Sequence, residues 1–204
     1  MAGFCVGVTG GVASGKSEVT RRFEALGIVV ADADLAARAA VAPGSEGLAE
    51  VAAAFGPQVL AADGGMDRAA MRRLVFADEA ARKRLEAIVH PRVRAMLQAQ
   101  CEQAPGAYAI AAIPLLAEGG RDAYPWLHRV LVVDVPTAVQ QARVMQRDRI
   151  DAELAARMIA AQATREARLA VADDIVVNDG PLEALQAQVE ALDRRYRAMA
   201  DAAA

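Results

Sequence analysis

Gly10-Gly11-Val12-Ala13-Ser14-Gly15-Lys16-Ser17 satisfies G-x-x-x-x-G-K-[ST] at every fixed position. Glycines in such a run let successive backbone N–H groups curl around phosphate oxygens with no Cβ in the way. A helix opening at the lysine turns its positive end toward the same anion. The lysine then reaches the β- and γ-phosphates of a nucleoside triphosphate, and the following hydroxyl ligates Mg²⁺. Gly11, Val12, Ala13, Ser14, Gly15, Lys16 and Ser17 are therefore candidate ATP-binding residues, with Ser17 also a candidate metal ligand. The surroundings agree. Phe4 to Thr9 is an apolar run suited to a buried strand, and Lys16 to Leu26 has helical spacing that stops at Gly27.

Outward from this loop, Ile28 to Ala31, Tyr108 to Ile113, Arg129 to Val135 and Ile175 to Val177 are four more short apolar runs separated by helical patterns. That alternation predicts an α/β fold: a five-stranded parallel sheet carrying a P-loop. Strands two and three are about 75 residues apart, where an ordinary crossover needs roughly 30. The excess is strongly helical, with Pro43-Gly44, Gly56-Pro57 and Asp63-Gly64-Gly65 as turns, and predicts a helical acceptor-binding insertion over about 35–104. Thr137 to Asp148 and Asp151 to Leu169 predict two helices carrying Arg143, Arg147, Arg149, Arg157, Arg165 and Arg168, a small lid over about 137–169. The core is then about 1–34, 105–136 and 170–204, closed by an amphipathic helix from Pro181 to Met199.

Composition narrows the class. The chain has 204 residues, enough for one sizeable core and a modest insertion. A net charge of -3 gives no footprint for nucleic acid or an anionic membrane. No apolar run approaches the roughly 18 residues of a spanning helix, and the N-terminus lacks the basic region of a signal peptide. Two isolated cysteines, Cys5 and Cys101, predict neither a disulfide framework nor a metal site, so a cytoplasmic location is expected. Of 23 Lys+Arg only Lys16 and Lys83 are lysine, so the loop retains a compact point charge in a chain that otherwise uses arginine.

A P-loop serves switches, motors and small-molecule kinases. The Asn-Lys-x-Asp and Asp-x-x-Gly elements of guanine switches are absent, and Val130 to Asp134 lacks the second acid of a motor's Walker-B strand. A kinase must exclude water, and a lid of arginines does so while stabilising transition-state charge. Arg147 and then Arg143, one turn apart, are the lid residues favoured for catalysis beside Lys16.

The opening Val8 to Ser17 resembles that of dephospho-CoA kinases. Further matches follow in order: Asp32-Ala33-Asp34 with Ala37-Arg38, Ala62-Asp63-Gly64, His90-Pro91, Pro114-Leu115-Leu116, Gln146-Arg147-Asp148, Gln162-Ala163-Thr164-Arg165, and Ala172-Asp173-Asp174 with Asn178. The resemblance covers essentially the whole chain. It implies ATP with Mg²⁺, dephospho-CoA as acceptor, and the last step of coenzyme A biosynthesis. It implies that Asp34 faces the ribose 3′-hydroxyl, a place where a carboxylate orients the nucleophile and accepts its proton. Arg38 would hold a substrate phosphate, and His90, Pro91, Leu115 and Leu116 would line the acceptor pocket. Asn178 would read adenine. Asp32 has two readings, a helix N-cap or a water-mediated Mg²⁺ contact. His90-Pro91 by itself suggests a helix start. Two departures stand out: Ala13 replaces a frequent glycine, tolerable if φ there is negative, and Glu18, still among the candidate ATP-binding residues, replaces the usual threonine. If the loop binds ATP, Lys16→Ala lowers turnover by orders of magnitude and leaves the circular dichroism spectrum unchanged. Near-normal turnover in that variant removes the assignment.

Overall fold

β1 (Phe4–Gly10) is buried at every position, the pattern expected of a strand covered on both faces. The computed structural model, which describes residues 2–203, places it at the centre of a five-stranded parallel sheet of order β2-β3-β1-β4-β5. The others are β2 (Val30–Asp32), β3 (Tyr108–Ala112), β4 (Arg129–Asp134) and β5 (Asp174–Val177). β1 pairs in register with β3 from Phe4↔Tyr108 and with β4 from Val6↔Arg129. The loop after Gly10 therefore leaves the C-terminal edge of the sheet between two neighbours, at the place where open α/β sheets bind ligands. The α/β P-loop architecture expected from the pattern is the one observed.

Residues at i, i+2 and i+4 of a strand share a face. Phe4, Val6 and Val8 pack with Val19 and Phe23 of α1 (Lys16–Ala25) in one core cluster. Leu185, Val189 and Tyr196 of the last helix complete that cluster. In between lie α2 (Ala33–Ala40), α3 (Glu46–Phe55), α4 (Arg68–Ala77), α5 (Glu79–Gln103), α6 (Leu116–Gly119), α7 (Thr137–Asp148), α8 (Ala152–Ala160) and α9 (Arg165–Ala170), and the last helix is α10 (Leu182–Ala203).

The described residues divide into two compact units, 2–31 with 100–203, and 32–99. The second unit has a core of its own, built from Val41, Leu48, Val51, Val59, Met71 and Ile88. It runs from Asp32 to Ala99, beginning a little before the 35–104 expected from sequence and ending a little before its close.

Two helices differ from expectation. Pro91 does not start a helix but lies inside α5, a 25-residue element. Proline there removes one i→i−4 hydrogen bond. The carbonyl left without that partner is Ala87's, and the buried stripe Ile88, Val93 and Leu97 carries the helix through. The stretch from Asp151 to Leu169 is not one helix. It breaks after α8 and restarts at Thr164, whose hydroxyl caps the N–H of Ala167.

The far edge is fastened by one acid. Buried Asp174 at the start of β5 accepts from Arg129 Nε at 2.7 Å, from Arg195 at 2.5 Å and from the Tyr196 hydroxyl at 3.1 Å. Burial and that carboxylate push the Tyr196 phenol above its ordinary range, so it stays a neutral donor. Asp174→Ala leaves a buried hydroxyl and a half-covered arginine unpaired, and should cost about 2–3 kcal/mol. In a chain of this length that lowers Tm by roughly 5–10 °C. A midpoint within a degree of wild type contradicts this.

Candidate active site

The loop after β1 is shaped by two turns of the wrong hand for ordinary residues. Ser14 N–H donates to the Gly11 carbonyl at 3.0 Å and closes a four-residue turn. Its third residue, Ala13, has φ 56, as a type II turn requires. The alanine is therefore tolerated at positive φ, against the expectation of negative φ, and carries strain of about 1–2 kcal/mol. Gly15 follows at φ 93 as the N-cap of α1, with no side-chain cap. A Cβ at Gly15 would lie 2.0 Å from Asn178 Nδ2, so side chain and backbone both demand glycine.

A bound triphosphate fits what this arrangement leaves open. With no side-chain cap, the first N–H groups of α1 present donors that a phosphate can satisfy. Ser14 Oγ is buried and lacks a hydrogen-bond partner inside the loop. The Lys16 ammonium makes no ion pair among the described residues, and Ser17 is exposed at the first turn. Glu18 is paired with Arg21 and with Arg22 at 3.0 Å, so its charge is neutralised on its own helix.

Asn178 braces the loop. It is buried, and its carboxamide donates to the Ser14 carbonyl at 2.8 Å. Its backbone N–H donates to Asp134 O, and its carbonyl accepts from Arg143 at 2.8 Å. These bonds tie the end of β5 to the loop and to α7. Arg143 is thereby anchored at the end of β5. Arg147 instead makes a two-pronged pair with its exposed neighbour Asp148, both bonds at 2.8 Å. Its guanidinium holds the Asp148 carboxyl below the usual range. Arg157 pairs with Glu153, and Arg149 ends α7 at φ 54. Arg165 forks onto buried Asp134 at 2.7 and 2.9 Å.

The helical unit holds most of the acceptor candidates. Asp32 is the N-cap of α2, its Oδ1 accepting from Asp34 N–H at 2.8 Å and Leu35 N–H at 3.1 Å. Of its two readings, capping is the one the structure displays. Asp34 and Arg38 lie one turn apart on α2, both exposed and with side chains in no ion pair among the described residues. His90 and Pro91 are exposed on α5. In the core unit the two leucines after Pro114 part company. Leu115 is 54 % exposed, while Leu116 is fully buried and belongs to the core rather than a pocket wall.

Sequence reasoning missed three residues. Gln162 Oε1 accepts from Val12 N–H at 2.7 Å, and Gln140 Nε2 donates to the Val12 carbonyl at 3.0 Å. Arg168 is buried behind Gly11. Gln162 lies in the Gln-Ala-Thr-Arg run already noted, and Thr164 as a cap was the local clue that the helix breaks there.

A model of the dephospho-CoA kinase family matches residues 4–184. A dephospho-CoA kinase of Xanthomonas oryzae pv. oryzae is 58 % identical over 202 residues, covering 98 % of this chain and all of that one. One from Xylella fastidiosa is 56 % identical, covering 98 % and 97 %. Among solved structures, TT1252 from Thermus thermophilus superposes with a TM-score of 0.79 at 32 % identity, covering 96 % of this chain and 98 % of its own. A dephospho-CoA kinase from Campylobacter jejuni gives 0.69 at 26 %, covering 93 % and 95 %. A shikimate kinase from Bacteroides thetaiotaomicron gives 0.56 at 15 %, covering 94 % and 96 %, a likeness of fold alone.

The two positive-φ positions respond oppositely to a methyl group. Ala13→Gly relieves strain and should raise Tm by roughly 2–4 °C, whereas Gly15→Ala lowers it by at least as much. Thermal unfolding of both variants checks this, and equal shifts of one sign would contradict the loop geometry.

Proposed function

The chain belongs to the dephospho-CoA kinase family, and from that premise we propose that it transfers the γ-phosphoryl group of ATP to the ribose 3′-hydroxyl of dephospho-CoA, giving CoA and ADP. The observation that carries this is the family match over residues 4–184. The open donors at the start of α1 and the unpartnered Ser14 hydroxyl support the nucleotide half.

Each residue then has a task. The loop amides and Lys16 hold and neutralise the phosphates, and Ser14 Oγ gains the partner it lacks. Mg²⁺ entering with the nucleotide would neutralise charge at the transferred group, and the Ser17 hydroxyl would hold it. Asp32 spends Oδ1 on its cap, which leaves its second oxygen for a water-mediated contact. Asp34 orients the acceptor hydroxyl and takes its proton, a role its uncommitted carboxylate supports. Arg38, His90, Pro91 and Leu115 are the acceptor's contacts. Arg147 is the mobile lid charge, since an exposed pair such as Arg147–Asp148 is weak and easily exchanged for a phosphate. Arg143 steadies the lid from its anchor on Asn178. Residues 35–104 act as the acceptor domain and 137–169 as the lid. The cytoplasm is the proposed compartment, in keeping with two buried free thiols.

Transfer of this kind needs positioning and charge more than covalent chemistry. ADP release is measured from Mg·ATP alone, with dephospho-CoA, and with a panel of nucleoside monophosphates. Stimulation by dephospho-CoA alone is expected, and Asp34→Asn should lower that rate by roughly 10²–10⁴ with nucleotide binding retained. Stimulation by a different acceptor, or by none, overturns the proposal.

A further inference from the structure

The crest of the phosphate loop is gripped from outside. Both polar groups of Val12 are taken by glutamine side chains, the N–H by Gln162 and the carbonyl by Gln140. Gln162 is itself held in place. The neighbouring Ala163 N–H donates to Glu118 at 2.9 Å, and the Ala163 carbonyl accepts from Arg168. Arg168 also donates to Gln140 Oε1 at 3.4 Å, which ties the two glutamines together. Gly11 lets these side chains come close, since a Cβ there would lie 2.2 Å from Gln140 Nε2 and 2.8 Å from Arg168.

Arg168 is the anomaly in this cluster. It is only 6 % exposed, yet none of the ion pairs among the described residues includes it. Its acidic neighbour Glu166 is exposed and feels the charge without pairing with it. Its guanidinium contacts are two neutral oxygens, on Ala163 and Gln140. A buried charge balanced only by neutral acceptors is costly. This one lies against the backbone of a loop built to receive an anion.

We propose that Arg168 is a positioning residue whose buried charge is balanced when phosphates occupy the loop, and which, through Ala163, Gln162 and Gln140, fixes the crest at Val12 to the segment joining α8 to α9. The inference rests on the nucleotide-binding half of the function above and adds a reason for the break between those two helices. The Gln162–Ala163 step leaves helical geometry because its polar groups are spent on the loop, on Glu118 and on Arg168. Nucleotide occupancy and the placement of that segment are then coupled, because one guanidinium answers to both.

The test is thermal unfolding of the full chain as wild type, Arg168→Met and Arg168→Lys, each alone and with saturating ATP, with tripolyphosphate as a base-free probe. Without ligand, Arg168→Met should unfold no earlier than wild type, because it removes an unbalanced charge. With ATP or tripolyphosphate it should lose at least half of the rise in Tm, while Arg168→Lys keeps most of it. ATP Kd should rise about tenfold in the methionine variant and much less in the lysine one. An Arg168→Met protein that unfolds well below wild type alone yet keeps the full ligand-induced rise would show that Arg168 serves packing only. Should the methionine variant fail to fold, Arg168→Gln, which keeps a donor for the Ala163 carbonyl, gives the same comparison. Absence of any rise with ATP in the wild type removes the nucleotide reading and this inference with it.

Discussion

The turn from Gly11 to Gly15 holds two residues in a conformation that ordinary residues avoid, and much of the surrounding structure meets that need. The Ala13 and Gly15 dihedrals lie in the left-handed region, and of the two only Gly15, whose carbonyl accepts from Glu18 and Val19, joins a helix ladder. Their stability comes from groups brought in from far along the chain. Asn178 arrives from the end of β5 to hold the Ser14 carbonyl, and Gln140 and Gln162 hold the two sides of Val12. Those anchors exist only because the sheet order sets β1 beside β4 and β4 beside β5. The sheet register is therefore part of the active site. It delivers the side chains that hold the loop backbone in this conformation.

Much of the phosphate loop was legible because its chemistry is contiguous. Glycines, lysine and hydroxyl must follow one another, so the pattern is written in eight adjacent residues. The five strands were legible for a related reason: buried parallel strands are short, apolar and punctuated. Asp32 as a cap was readable from its place before α2. What could not be read locally was anything decided by packing. Pro91 looks like a helix start, and only the buried stripe on either side of it carries α5 through. Leu115 and Leu116 are adjacent and chemically alike, yet one is exposed and the other is core. Asn178 sits where a base reader would be expected, but its partner lies 164 positions away. Ala13 at positive φ is a cost accepted locally because the anchors on either side over-determine the turn.

The arginines make the same point about charge. The sequence favours Arg147 and then Arg143 among the six along these helices, and the structure gives them different partners. Arg157 stabilises its own helix, Arg165 satisfies a buried acid, Arg143 ties a helix to the sheet, and Arg168 is buried outside every ion pair among the described residues. Arg147 pairs with its exposed sequence neighbour Asp148. Surface pairs of that kind contribute little to stability. Identity of residue type therefore says little about role here, whereas the partner and its burial say a good deal.

The central claim is a transfer between two defined oxygens, and phosphorus NMR observes it directly. The protein is incubated with Mg·ATP and dephospho-CoA, and the phosphorus resonances are followed against time. The account predicts loss of the γ-phosphate signal matched one for one by ADP and by a new 3′-phosphomonoester resonance on the acceptor. A signal lost only to inorganic phosphate, with the acceptor unchanged, would contradict it.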